Sequence, residues 1–219
     1  MELRFCGNSP LDFQPPCASD SAMSKNILVL DLETKRTFEE VGSRDNFGAL
    51  GVSVVGVYSY ITGEYHAFWE DDFPKLEGWL NERPLVVGFN QRKFDMAVLQ
   101  PHMKCDLSAL PMIDIMEEMA KVLGHRIGLD SVAQATLGAG KTGHGLDAIH
   151  YWNTKQLDKL SQYCLDDVRL TKELFEYGAK HQELFFMSKF GNNKMKAAVS
   201  WKVEHPKENA QEAAQFSLF

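Results

Sequence analysis

Apolar residues in this chain fall into short runs and helical stripes, with no single long block. Residues 27–30 (ILVL) form a buried-strand run leading into Asp31-Leu32-Glu33-Thr34. Residues 51–61 are rich in β-branched and aromatic side chains, and Thr62-Gly63 turns the chain into 64–69, a hairpin partner. Helical spacing returns over 73–82, with Leu76, Trp79 and Leu80 on one face. A second buried strand over 85–89 precedes a helix over about 94–100. Further helices are predicted near 115–123 and 129–137, and a long one over about 154–181. Antiparallel strands, then alternating helix and strand, then helices predict an α/β fold: a mixed β-sheet flanked by helices, in one domain. Residues 1–22 and 191–219 are expected to be a disordered extension and a tail on a domain spanning 23–190.

Composition narrows the class. The 219 residues are 44% hydrophobic and 24% charged, which suits a soluble globular domain. No stretch approaches the roughly 20 apolar residues of a membrane span, and the N-terminus lacks the pattern of a signal peptide. Cys6, Cys17, Cys105 and Cys164 are scattered without a Cys-x-x-Cys pair, against a zinc site and for a reducing, cytoplasmic setting. The net charge of −7 disfavours strong unaided binding to nucleic acid. It does not disfavour a nuclease, whose site gathers carboxylates to hold divalent metals.

Three segments carry candidate chemistry. Asp31 and Glu33 are two apart at a strand end and so project to one face. Their repulsion is relieved by a hard divalent ion or, more simply, by open solvent. In 85–99 (LVVGFNQRKFDMAVL) a strand ends at Gly88-Phe89-Asn90, and Asp95 begins a helix, where the dipole alone favours an acid by up to about 1 kcal/mol. In 161–175 (SQYCLDDVRLTKELF) Tyr163 and Asp167 are four apart and share a helix face, with Asp166 a rival at three.

Taken together and in this order, the three segments resemble the DEDD superfamily of exonucleases, the subclass with tyrosine. They are most similar to the proofreading exonuclease domain of family B DNA polymerases. Asp31-Leu32-Glu33-Thr34 is similar to the first motif, Gly88-Phe89-Asn90 with Phe94-Asp95 to the second, and Tyr163 to Asp167 to the third; Ile127 to Gly138 is similar to the joining segment. The resemblance covers roughly 26–180 and implies a ribonuclease-H-like fold and a two-metal 3′→5′ exonuclease using Mg²⁺ or Mn²⁺. It implies Asp31, Glu33, Asp95 and Asp167 as metal ligands, Asp31 bridging both ions, and Tyr163 orienting the attacking water. The substrate would be nucleic acid with a free 3′ end, in repair or replication; the family serves both DNA and RNA, and only the C-terminal peptide described below favours single-stranded DNA. Leu32, Thr34, Asn90 and Phe94 are candidate substrate contacts, although core packing accounts first for Leu32, Phe89 and Phe94. Arg92 and Lys93 could contact phosphate, and a solvated face explains them equally well. An exoribonuclease, a silent nucleic-acid-binding domain and an internally cutting nuclease remain open.

Other signals carry less. Gly138-Ala139-Gly140-Lys141-Thr142 looks like a phosphate-binding loop, but Ala135 stands where that loop needs glycine, and a helix precedes it. His125, His144 and His150 are not spaced for zinc. The ending Gln215-Phe216-Ser217-Leu218-Phe219 resembles the peptide by which bacterial replication and repair proteins bind the sliding clamp, with Gln215, Leu218 and Phe219 as its anchors. Such a tether would offset weak affinity for DNA.

Overall fold

Strand β1 (Ile27–Thr34) is the axis of the molecule, with a partner along each edge. The structure, a computed structural model, describes residues 26–140, 145–188 and 193–201. The extension at 1–22, Lys141 and the clamp-like peptide at 215–219 lie outside those residues.

A one-turn helix α1 (Phe38–Val41) follows β1, opened by a Thr37–Glu40 capping box. Then come β2 (Val52–Ser59) and β3 (Glu64–Phe68), the expected hairpin. Helix α2 (Phe73–Asn81), β4 (Leu85–Gly88) and the short α3 (Asp95–Leu99) follow. Strand β5 (Met112–Asp114) runs into α4 (Ile115–Leu123), and α5 (Leu129–Leu137), α6 (Gly145–Asn153) and α7 (Leu157–His181) succeed it. Strands β6 (Glu183–Met187) and β7 (Lys194–Ala198) form a separate antiparallel pair.

The main sheet has the order β3-β2-β1-β4-β5, antiparallel through β1 and parallel beyond it. Alternation along β1 divides the core. Ile27 and Val29 pack with α4, α5 and α7, while Leu28, Leu30 and Leu32 pack with α2 and α3. This is the mixed sheet flanked by helices that the hydrophobic pattern predicts. No described helix is long and apolar enough to cross a membrane.

Packing against α7 continues beyond β7. Ala197 and Val199 are buried, and the Trp201 indole donates to the Phe175 carbonyl at 2.9 Å. Gly178 makes room for it, since a Cβ there would lie 2.7 Å from the Trp201 ring.

Candidate active site

The inward row of β1 begins apolar and ends acidic. Ile27 and Val29 lie under α7, and the same alternation delivers Asp31 and Glu33 at the end of the strand. Both are half-buried. Helix α7 crosses this strand end, and its turns bring Leu160, Cys164, Val168 and Leu170 into the core. It lies close because β2 offers Gly56 directly opposite Asp31. A Cβ on Gly56 would sit 2.9 Å from both Cys164 Sγ and Val168 Cγ2. The same approach sets Cys164 Sγ 3.6 Å from the Asp31 carbonyl. Burial, then Asp31 and Glu33, push that thiol's pKa well up, so it packs as a neutral spacer.

Asp167 therefore arrives beside the strand acids. Carboxylate oxygens of Asp31, Glu33 and Asp167 all lie within 4.8 Å of one another, and Asp167 is only 4% exposed. At an effective dielectric near 20, each such pair of charges repels by roughly 3 kcal/mol. The donor set, three hard carboxylates at a partly buried point, fits a divalent cation such as Mg²⁺ or Mn²⁺. Among the described residues no histidine or cysteine joins a comparable group.

Tyr163, one turn before Asp167, is buried, and its pKa is raised by burial and then by Glu33, Asp167, Asp31 and Asp147. The phenol stays protonated, able to donate a hydrogen bond. Asp147 enters on α6, an element outside every predicted helix, so its place beside Tyr163 is visible only in three dimensions. Asp166 points elsewhere: it accepts from Gln162 at 3.2 Å and lies 3.9 Å from the Arg169 guanidinium.

Asp95 reaches the strand from the other helical layer. It is 3% exposed, and its Oδ1 accepts the Leu32 backbone N–H at 3.1 Å. Strand β4 pairs with β1 only as far as Val29, so Leu32 lies beyond that ladder. Asp95 thus fastens the peptide between Asp31 and Glu33, and it is not one of the mutually close three.

The loop before Asp95 is held by a residue that no motif marks. Asp114, buried at the end of β5, accepts backbone N–H bonds from Asn90 (2.8 Å), Arg92 (3.0 Å) and Glu117 (3.2 Å). Asn90 sits there at φ +67°, and its buried Oδ1 has no hydrogen-bond partner among the described residues. Leu32 is buried on the α2 and α3 side. Thr34 donates to the Arg36 carbonyl at 2.9 Å. Phe89 is buried, and Phe94 is half-buried, edge-on to Phe38 and Phe47. Arg92 and Lys93 both pair with Glu117. Gln215, Leu218 and Phe219 fall outside the described residues.

Comparison with known proteins bears on this geometry. A family model of the RNase_H superfamily matches residues 28–178. No curated protein matches the chain. Among solved structures, the family B DNA polymerase of the archaeon Pyrobaculum calidifontis is similar at a TM-score of 0.51 and 20% identity, over 70% of this chain and 24% of the polymerase. Trypanosoma brucei RNase D is similar at 0.51 and 19%, over 70% of this chain and 57% of its own. The chain thus spans about a quarter of the polymerase and somewhat over half of the RNase D. At these identities the likeness is one of fold.

Proposed function

Because the chain belongs to the RNase H superfamily, matched from 28 to 178, we propose that it is a metal-dependent nuclease. More narrowly, it is a 3′→5′ exonuclease releasing nucleoside 5′-monophosphates from single-stranded DNA. The observation that carries this is the meeting of Asp31, Glu33 and Asp167 within 4.8 Å under a buried tyrosine. Those three carboxylates would hold the metal, with Asp95 alongside. Divalent ions held there would supply an activated water and charge stabilisation for the leaving 3′-oxygen.

The chain's own groups do the rest. Asp95 fixes the backbone that presents the two strand acids. The Tyr163 hydroxyl, kept protonated, donates a hydrogen bond that orients the attacking oxygen and is no base. Asn90 Oδ1 accepts from the terminal nucleotide, on a loop that Asp114 keeps in place.

The test is digestion of 5′-labelled single-stranded DNA and of RNA of the same sequence, with Mg²⁺ or Mn²⁺ and an EDTA control. A ladder shortening from the 3′ end, faster on DNA and stopped by a blocked 3′ terminus, is expected. No cleavage with either ion refutes the nuclease. Preference for RNA overturns the DNA assignment, and cutting of the blocked strand overturns the exonuclease.

A further inference from the structure

Helix α6 joins the carboxylate site to a group of lysines perched on aromatic rings. Its first turn carries Asp147, beside Tyr163. Four and five residues on, about 6–7.5 Å along the axis, it carries Tyr151 and Trp152, both half-buried against the cluster that contains Tyr163. Lys35, the residue after β1 and two beyond Glu33, places Nζ 5.0 Å from the Trp152 ring centroid, and Lys155 places its own at 4.6 Å. Lys159 lies over Tyr151 at 5.9 Å. It precedes Tyr163 by four residues on α7, as Tyr163 precedes Asp167, so the three share one side of the helix.

A ring positions an ammonium without neutralising it. Among the described residues no carboxylate pairs with Lys155 or Lys159. Lys35 is paired with exposed Glu70 at 2.6 Å, a contact that contributes little at a surface and exchanges readily for phosphate. In a chain of net charge −7, this leaves uncompensated positive charge next to the acidic site. A track of lysines over aromatic rings is the chemistry that follows a single-stranded backbone.

We propose that Lys35, Lys155 and Lys159, set by Trp152 and Tyr151, form a phosphate-gripping rim for the strand upstream of the scissile bond. This rests on the exonuclease reading for its substrate, yet it can be tested apart from catalysis. Lys155 helps, because its backbone is left-handed (φ +59°). Glycine is at ease there, so Lys155→Gly removes the cation without straining the fold.

The experiment is fluorescence anisotropy of a labelled 20-nucleotide single-stranded DNA in EDTA, across a salt series. It compares the full chain with Lys155→Gly/Lys159→Gln and with Lys75→Gln, a lysine equally perched on Phe68 and Trp79 but carried by α2. The double variant should bind about tenfold more weakly, with a log–log salt slope shallower by about 1.4, or 0.7 per lost phosphate contact. Lys75→Gln should bind as the parent does. An unchanged affinity and slope in the double variant, or an equal loss in Lys75→Gln, overturns the rim. In a parallel assay with Mg²⁺, the parent should shorten the same oligonucleotide from its 3′ end. If the parent cleaves nothing, the nuclease reading falls while the binding series still decides the rim.

Discussion

Gly56 sets how close α7 comes to the acids of β1, and adding a single methyl group tests this. In Gly56→Ala the new Cβ would lie 2.9 Å from Cys164 Sγ and Val168 Cγ2, and 3.3 Å from Leu165 Cδ2. Carbon contacts are comfortable at about 3.5–4.0 Å, so α7 must retreat by roughly 0.6–1 Å. Valine has few rotamers on a helix, which leaves little room for a local adjustment. Asp167 lies between Cys164 and Val168 in sequence and retreats with them. Overpacking should cost about 1–3 kcal/mol of stability. Misplacing one ligand by nearly 1 Å should lower the rate about 10²-fold. Urea unfolding and kcat on single-stranded DNA, both at saturating Mg²⁺, read the two effects. Adding Cys164→Ala removes one of the two closest contacts, so the double mutant should recover part of each loss, with a coupling of about 0.5 kcal/mol or more. A stably folded Gly56→Ala protein with parental kcat would refute the reasoning. So would activity lost only in proportion to the unfolded fraction.

Three further outcomes follow from the same geometry. Asp167→Ala should lower activity by at least about 10²-fold, and Asp166→Ala should stay within about threefold of the parent; initial rates on DNA separate them, and the reverse order would place the wrong acid in the site. Asp31→Asn removes one of three crowded charges, so the metal-free protein should gain roughly 1–3 kcal/mol in urea unfolding. The same variant should lose the stabilisation that Mg²⁺ gives the parent by mass action, and a less stable variant contradicts the crowding. Asp114→Ala strands three backbone donors, at a cost of about 3 kcal/mol or more. Asp114→Asn, which keeps one acceptor oxygen, should cost less, as unfolding midpoints will tell.

Elements with a marked apolar run or helical stripe were legible in the chain, even the short β4 and α3, and those without one were not. The run Ile27–Leu30, the Thr62-Gly63 turn and the stripe of Leu76 and Leu80 all declare their elements, and the structure has them. Strand β5 has three residues after Pro111, too few for any period to show. Residues 145–153 look like loop next to a glycine-rich stretch, and the predicted start of the long helix near 154 falls in the break between α6 and α7. Lys194 to Ala198 alternates too weakly to announce a strand; β7 is recognisable only once β6 pairs with it. At the site, the carboxylates stood out by spacing, but nothing local separates Asp166 from Asp167. Asp114 holds the Asn90 loop through partners 24 and 22 positions away, and Gly56 admits Cys164 and Val168 from far along the chain, which periodicity cannot report.

Strand β1 has seven antiparallel partners along β2 and three parallel ones along β4. A slip of one position would exchange its two faces, turning Leu30 and Leu32 toward α7 and burying the acids among leucines. The loops of this protein can lengthen or shorten, but an insertion or deletion of one residue between Ile27 and Glu33 would leave a sheet without a site.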